Sequence, residues 1–182
     1  MTKDRQILLC GLGGQGVVLA GSLLGQACFA EGLHVSGTSS YGSEARGGEC
    51  RAEVVVSAQP VAFPYVTAAD ILVALSQTAY VRYLPWTVSP HGLVFYDSEA
   101  VTPAGGAAQR HFGIPAAERA EATLGTRLGS NIVMLGAVVA ATGVAGCDAL
   151  RSTVADKSPA RFRELNLRAL EIGFELGRSV RL

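Results

Sequence analysis

A glycine-rich turn close to the start of the chain limits the folds that this sequence can adopt. The segment Cys10-Gly11-Leu12-Gly13-Gly14-Gln15-Gly16 follows a short apolar run, Ile7-Leu8-Leu9, and precedes a helical pattern. The glycines at 11, 13 and 16 have the G-x-G-x-x-G spacing of a strand, turn and helix unit that binds phosphate. Glycine lets the backbone turn tightly, and the unpaired N–H groups of the first helical turn attract an anion. The segment therefore predicts an α/β fold with a ligand site at the end of its first strand.

The composition favours a compact domain whose surface is partly covered by a partner. The 182 residues are 49% hydrophobic and only 16% charged, against an average of about 25% charged. The formal net charge is zero, which argues against electrostatic binding to nucleic acid or to an anionic membrane. Between Val54 and Tyr96 only Asp70 and Arg82 are charged, whereas 151–182 holds 11 of the 30 charged residues. We expect another subunit to cover the low-charge surface; an uncharged polar exterior is the alternative.

Strand and helix patterns alternate along the chain. We predict strands at Gln6–Cys10, Leu33–Ser36, Cys50–Ser57, Ile71–Leu75, Gly92–Tyr96 and His111–Ile114. We predict helices at 16–30, 77–84, 116–125, 131–142, 147–156 and 160–178. Several strands are near-continuous apolar runs, which is typical of strands covered on both faces. The alternation predicts a Rossmann-like, three-layer α/β/α domain with a mainly parallel sheet, and we expect residues 1–182 to form one domain.

Two features favour a soluble protein of the reducing cytoplasm. The uncharged stretches 6–30 and 128–147 are long enough to suggest membrane spans, but the first contains the glycine turn and the second carries polar residues and four glycines, so we predict buried helices. The cysteines have no C-x-x-C spacing, which predicts free thiols and no zinc or iron–sulfur site on this chain. They are Cys10, Cys28, Cys50 and Cys147.

A second polar segment follows the second predicted strand. A NAD-binding domain would place an acidic residue at the end of that strand, where this chain has Ser36-Gly37-Thr38-Ser39-Ser40. Next comes Tyr41-Gly42-Ser43-Glu44-Ala45-Arg46-Gly47-Gly48, a loop with hydroxyl groups, three glycines and a central arginine. Arg46 can pair with a phosphate or carboxylate, or it can tie down its own loop through Glu44 or Glu49. The strand-end rule for α/β sheets predicts that this loop lies beside the glycine turn.

Single polar residues elsewhere have structural interpretations. Asn131 precedes an apolar helix and is expected to cap it. Asp70 precedes a strand and is expected to fix a turn, while Asp97 lies just past a strand, where both a structural and a functional role are open. The three histidines are too scattered in the sequence to form a metal pair.

Together, the two motifs resemble the gamma subunit of 2-oxoacid:ferredoxin oxidoreductases, which include the pyruvate, 2-oxoglutarate, ketoisovalerate and indolepyruvate enzymes. The resemblance is carried by Gly11–Gly21 and Thr38–Gly48. It continues through Pro64, Ala69–Gln77, Asn131–Gly136, Asn166 and Ala169. The Thr-Ser-Ser-Tyr-Gly sequence is most similar to the 2-oxoglutarate type.

The resemblance implies a complex that decarboxylates a 2-oxoacid on thiamine diphosphate, passes electrons through iron–sulfur clusters to ferredoxin and releases an acyl-CoA. This chain has no Gly-Asp-Gly segment for thiamine diphosphate and magnesium and no cysteine set for a cluster. Those groups are therefore expected on alpha and beta partner subunits, with or without a delta subunit.

For this chain the resemblance implies a structural and ligand-positioning role without a catalytic residue. The hypothesis is that the two glycine loops help recognise the phosphates of coenzyme A or close over the thiamine site. The candidate binding residues are Gly11, Gly13, Gly14, Gln15, Gly16, Ser40, Tyr41, Gly42, Glu44, Arg46, Gly47 and Gly48.

Three alternatives remain open from the sequence. The loops serve only tight turns and docking of partner chains; the chain is a stand-alone NADP-binding reductase with Arg46 on the 2′-phosphate; or it is a nucleotide-sensing Rossmann-like module.

Overall fold

The strands and helices follow one another in the order that the sequence predicts. The structure, a computed structural model, describes residues 4–41, 48–88, 90–106 and 108–182. The strands in these residues are β1 (Arg5–Leu12), β2 (His34–Tyr41), β3 (Glu49–Ser57), β4 (Ile71–Ala74), β5 (Leu93–Asp97) and β6 (Arg110–Ile114). The helices are α1 (Val17–Ala30), α2 (Gln77–Tyr83), α3 (Ala116–Leu124), α4 (Ser130–Thr142), α5 (Cys147–Lys157) and α6 (Ala160–Ser179), and a 3-10 turn, Leu84–Trp86, follows α2. The largest departure from the predicted bounds is β2, which continues to Tyr41 instead of ending at Ser36.

The sheet is mostly parallel, with one reversed strand. Its order is β2-β3-β1-β4-β5-β6. The pairs β1/β4, β4/β5 and β5/β6 are parallel, whereas β3 is antiparallel to both β1 and β2. The α/β class and the mainly parallel sheet are therefore confirmed. The reversal of β3 was not predicted; it follows from the short connection after β2, because a parallel pair needs a long crossover and an antiparallel pair does not.

Five helices cover one face of the sheet, which we call the first face. α1, α3, α4, α5 and α6 pack there on side chains that include Ile7, Leu9 and Val73. α4 is the innermost helix, and its residues from Asn131 to Val139 are all buried. The apolar composition of 128–147 therefore reflects burial inside the protein, as predicted. No helix in the described ranges combines the length and the apolar character needed to cross a membrane.

The opposite, second face has a thinner cover. Side chains such as Leu8 and Leu72 pack there against α2, the 3-10 turn and the segment 58–70. This segment has no helix or strand, and polar side chains of the sheet hold it. Gln6 Oε1 accepts hydrogen bonds from the backbone N–H groups of Thr67 and Ala68, at 2.6 and 3.1 Å. The three-layer architecture is thus asymmetric, with a single helix on the second face among the described residues.

The inner face of α6 is not the apolar stripe of its sequence. Phe162, Leu165, Ala169, Ile172 and Leu176 recur at helical spacing, but Phe162, Leu165 and Leu176 are only half-buried. The contact with α4 is instead made by smaller residues, which include Ala169, Gly173 and Gly177. A Cβ atom on Gly136 of α4 would lie 2.8 Å from the carbonyl oxygen of Leu170. The two helices are therefore close enough that the contact requires glycine.

This contact predicts that Gly173→Ala destabilises the fold. The added methyl group would overlap the carbonyl oxygen of Val133, and overpacking of this kind costs about 1–3 kcal/mol. Urea unfolding of both proteins measures the change. Gly105→Ala is the matched control, because no atom lies within 4 Å of its added methyl group. Equal stability of the two variants would contradict the close α4–α6 contact.

Candidate functional site

The glycine turn lies at a switch point in the sheet. β1 and β4 are parallel neighbours, but the helix after β1 packs on the first face and the helix after β4 packs on the second. The loops at their carboxyl ends therefore diverge and leave a crevice, which is where ligands bind in open α/β sheets. The topology thus places Gly13–Gly16, between β1 and α1, at the expected ligand edge.

Two glycines of the turn have backbone conformations that favour glycine. Gly14 has φ 97° and Gly16, which precedes α1, has φ 72°. The N–H of Gln15 donates to the carbonyl of Leu12 at 3.1 Å and closes the turn. Gly14 is exposed, and no atom lies within 4 Å of the position that its Cβ would occupy. The turn therefore presents its bare backbone to solvent at Gly14.

Gly11 makes room for the side chain of Gln15. The Gln15 Oε1 accepts a hydrogen bond from Leu12 N at 2.6 Å, and its Nε2 donates to the carbonyl of Leu75 at 2.9 Å. A Cβ on Gly11 would lie 2.6 Å from Oε1. The amide of Gln15 therefore joins the carboxyl ends of β1 and β4, and the first glycine of the motif permits that bridge.

Gly16 likewise makes room for a side chain, that of Asn131. The Asn131 Nδ2 donates to the carbonyl of Gly16 at 3.1 Å, and a Cβ on Gly16 would overlap this amide. The prediction that Asn131 caps its own helix is wrong: the N-cap of α4 is Gly129, without a side-chain cap. Asn131 instead fastens the start of α1 to the start of α4, a long-range contact that the helix pattern does not reveal.

Gly14 separates two open cavities. The first, which we call the glycine groove, has a volume of about 330 Å³ and is lined by Leu12, Gly13, Gly14, Gly16, Val17, Val18, Leu19, Tyr41, Gly48, Glu49 and Cys50. The second, the strand-end cleft, has a volume of about 590 Å³ and is lined by Gly14, Gln15, Leu75, Asp97, Glu99, Ala100, Ala117, Thr126, Arg127, Leu128 and Ser130. A ligand over the turn can therefore extend to either side of Gly14.

The second motif meets the first, although not entirely as predicted. The N–H of Gly13 donates to the carbonyl of Gly48 at 2.8 Å, so the two segments are adjacent as expected. Ser40 and Tyr41 belong to β2 and not to a loop, because β2 pairs with β3 as far as Tyr41 and Cys50. Successive strand residues face opposite ways, so Tyr41 lies at the glycine groove whereas Ser40 faces the second side of the sheet beside Arg51.

The structure therefore brings together part of the predicted set. Gly13, Gly14, Gly16, Tyr41 and Gly48 line the glycine groove. Gln15 borders the strand-end cleft, and Gly11 is buried beneath the turn. Gly42, Glu44, Arg46 and Gly47 lie outside the described residues.

Two charged residues of the strand-end cleft, Glu99 and Arg127, were missed in the sequence because they come from distant segments. Arg127 forms ion pairs with Glu99 at 3.2 Å and with Glu121 at 2.8 Å. Its hydrogen bond with Glu121 raises the pKa of its guanidinium above the ordinary value.

Buried Asp97 accepts hydrogen bonds from the backbone N–H groups of Glu99 and Ala117, each at 3.0 Å. Asp97 thus fixes the loop after β5 and the start of α3, which supports its structural role.

The cysteines do not form a reactive group. Cys10, Cys28 and Cys50 are buried and Cys147 is half-buried, and all four are free thiols. Burial raises the pKa of Cys28 to about 12 and also raises the pKa values of Cys10 and Cys50 above their ordinary value. Within the described ranges, three or more His, Cys, Asp or Glu side chains never converge as a metal site would require.

The bridge through Gln15 predicts that Gln15→Leu lowers stability. Leucine leaves the Leu12 N–H and the Leu75 carbonyl without this partner, and such losses cost about 1–3 kcal/mol. Urea unfolding measures the change. Gln59→Leu, on an exposed loop residue, is expected to stay within about 0.5 kcal/mol of the unaltered chain. Equal stability of both variants would show that the bridge does not hold the strand ends.

The thiol pKa values predict a loss of stability in alkali. Above the ordinary thiol pKa of 9.0, the unfolded chain releases the Cys28 proton while the folded chain keeps it until about pH 12. The unfolded state then binds fewer protons, so the free energy of unfolding falls as pH rises through this window. Unfolding at a series of pH values should show a smaller fall for Cys28→Ala than for the unaltered chain. An identical pH dependence would contradict this account of the Cys28 thiol.

Comparison with known proteins identifies relatives over the whole chain. A family model for pyruvate ferredoxin/flavodoxin oxidoreductase matches residues 6–176. The 2-oxoglutarate synthase subunit KorC of Methanothermobacter thermautotrophicus is 38% identical over 94% of this chain and 94% of its own length. The ketoisovalerate oxidoreductase subunit VorA of the same organism is 39% identical over 96% of this chain, which spans 37% of VorA.

Solved structures share the fold. The gamma subunit of a keto/oxoacid ferredoxin oxidoreductase from Geobacter sulfurreducens superposes with a TM-score of 0.84 and 33% identity, over 97% of this chain and 99% of that chain. The 2-oxoglutarate:ferredoxin oxidoreductase of Magnetococcus marinus has the same fold, with a TM-score of 0.87 and 22% identity over 100% of this chain and 32% of that chain. Since the family model covers nearly all of the sequence, the chain belongs to the pyruvate ferredoxin/flavodoxin oxidoreductase family and is homologous to its gamma subunits.

Proposed function

We propose that this chain is the gamma subunit of a thiamine-diphosphate-dependent complex that oxidises a 2-oxoacid of the 2-oxoglutarate or pyruvate class. The complex would form an acyl-CoA and reduce ferredoxin. Full-length similarity to 2-oxoglutarate synthase subunits supports this activity. A ligand-positioning role for this chain is supported by the exposed backbone of Gly14 at the switch point, which is open to both cavities.

In this proposal the redox and decarboxylation chemistry belongs to alpha and beta subunits, with or without a delta subunit. Thiamine diphosphate and iron–sulfur clusters would supply carbanion stabilisation and electron transfer there. The buried, scattered thiols of this chain and the lack of a metal-binding group in its described parts are consistent with that division. The chain alone is expected to be inactive, and all of its residues would form one gamma domain.

The ligand proposed for the glycine turn is coenzyme A. Its phosphate groups suit a helix N-terminus, because the first N–H groups of α1 have no acceptor within the helix. The bridges from Gln15 and Asn131 hold the turn in one conformation, so little order has to be gained on binding. Arg46 would add a cation on the second motif.

The three alternatives fit the observations less well. A stand-alone NADP-binding reductase or a nucleotide-sensing module is not supported by the relatives, which are subunits of oxoacid oxidoreductases. Pure docking of partner chains by the glycine turn does not require the two open cavities beside Gly14.

The free thiols are consistent with a cytoplasmic location, which we propose for the complex.

The role of the turn predicts an effect of charge on coenzyme A binding. Gly14→Asp in the assembled complex places a carboxylate beside the proposed phosphate site, whereas Gly14→Asn has the same size and the same demand for positive φ without the charge. We expect the KM for coenzyme A to rise about tenfold more in the Asp variant, equivalent to about 1.4 kcal/mol. The KM for the 2-oxoacid should be unchanged.

Steady-state reduction of a viologen dye at varied coenzyme A concentrations measures both constants. Equal KM values for coenzyme A in the two variants would show that its phosphates do not lie at Gly14, while leaving the subunit assignment intact.

A further inference from the structure

Among the residues that the structure describes, the outer edge of β2 has none of the usual protections of a sheet edge. β2 has eight residues, lies at the end of the sheet, and pairs with β3 in continuous register from His34 to Tyr41. It contains no Lys, Arg, Asp, Glu or Pro, the residues that commonly prevent strand addition. Every second N–H and C=O of such a strand points away from the sheet and is available to another chain.

The opposite edge is different. β6 has five residues and begins at Arg110. The Arg110 Nη2 donates to the carbonyl of Arg181 at 3.4 Å, and its guanidinium lies over the ring of Phe112 at 5.6 Å. The charge of Arg110 and the C-terminal segment therefore shield the edge of β6. The sheet thus has one shielded edge, at β6, and one exposed edge, at β2.

Both sides of β2 offer places for the side chains of an added strand. On the first face, a groove of about 350 Å³ runs between α1 and β2, bordered by Gly21, Gly25, Gly37 and Ser39 among other residues. On the second face, Phe63 and Tyr65 are exposed by 56% and 53% and form an edge-to-face pair. An extended segment with alternating side chains would insert one into the groove and lay the next on the aromatic pair.

The aromatic pair is fixed beside β2 before any partner binds. Ser36 of β2 donates through Oγ to the carbonyl of Pro64 at 3.2 Å. Buried Glu53 of β3 accepts the N–H of Val66 at 2.9 Å through Oε2 and pairs with Arg51 through Oε1. Residues 33–41 and 54–69, which form this corner, contain no Asp, Glu, Lys or Arg. Apart from the Arg51–Glu53 ion pair, the surface is therefore uncharged and held in place by hydrogen bonds, and it suits a neutral, partly apolar segment.

We infer that the outer edge of β2 is a docking site for an extended segment of a partner subunit, which adds a strand to the sheet. This inference rests on the proposed function. We assign the partner as another subunit because in VorA the related unit is joined to further polypeptide in the same chain, so a unit of this kind lies in one molecule with a different segment. The added segment is neutral, with apolar side chains at alternate positions.

Hydrogen–deuterium exchange tests the added strand directly. The isolated full chain is compared with the assembled complex, obtained by co-expression with its partner subunits. We expect amides at alternate positions of residues 34–41 to exchange at least tenfold more slowly in the complex. Assembly without slower exchange in this segment would overturn the docking site and leave the proposed function standing, whereas failure to assemble with any thiamine-binding subunit would overturn both.

A charge on the edge provides the second test. Ser39→Lys adds a cation at the proposed strand pairing, and Ser152→Lys makes the same change at an exposed residue of α5. We expect the first variant to weaken assembly at least tenfold and the second to assemble normally; equal assembly would overturn the proposal. Exchange rates of the isolated variants establish that both are folded. A concentration-dependent dimer of the isolated chain that already protects 34–41 would assign the edge to a second copy instead.

Discussion

The candidate site depends on one amide side chain, that of Gln15, which links the ends of β1 and β4. Gln15 accepts from Leu12 N and donates to the carbonyl of Leu75, so the divergent ends of β1 and β4 stay at a fixed separation. Without that link, each strand end would present an unpaired backbone group at the bottom of the crevice. Asn131 fixes the other end of the turn by its bond to Gly16. The first and last glycines of the motif therefore serve internal packing, and the backbone at Gly14 stays exposed at the place where we propose that a ligand binds.

The two faces of the sheet are covered by layers of different thickness. Five helices bury the first face and supply most of the core, and α4 lies so deep that it has no charged residue. The second face is covered by α2 and by irregular chain, which is held in place by hydrogen bonds from its backbone N–H groups to the side chains of Gln6 and Glu53. This thin layer coincides with the low-charge segment of the sequence. A subunit of a larger complex can have few charges there, because exposed apolar area that a partner covers does not have to be solvated.

Much of this architecture can be predicted from the sequence, and the failures have physical causes. The glycine turn, the alternation of elements and the burial of α4 follow from local pattern, because turn chemistry and helical periodicity are properties of short segments. The reversal of β3 and the length of β2 do not, since strand pairing adds order to a Ser- and Gly-rich segment that has little strand propensity of its own. Asn131 has the pattern of a cap, but its partner, Gly16, lies 115 residues away. The buried face of α6 is set by Gly173 and Gly177, whose close approach to α4 no hydrophobic stripe can reveal.

Anaerobic affinity purification of this chain from its native cells, followed by mass spectrometry and an assay of the purified sample, establishes whether it is a gamma subunit. We expect a thiamine-diphosphate subunit and a cluster-bearing polypeptide to be recovered with this chain, and the sample to reduce ferredoxin only when both a 2-oxoacid and coenzyme A are present. Recovery of this chain alone, at salt mild enough to preserve complexes, would contradict the assignment as a gamma subunit. Binding and oxidation of NADPH by that isolated chain would replace it with a reductase.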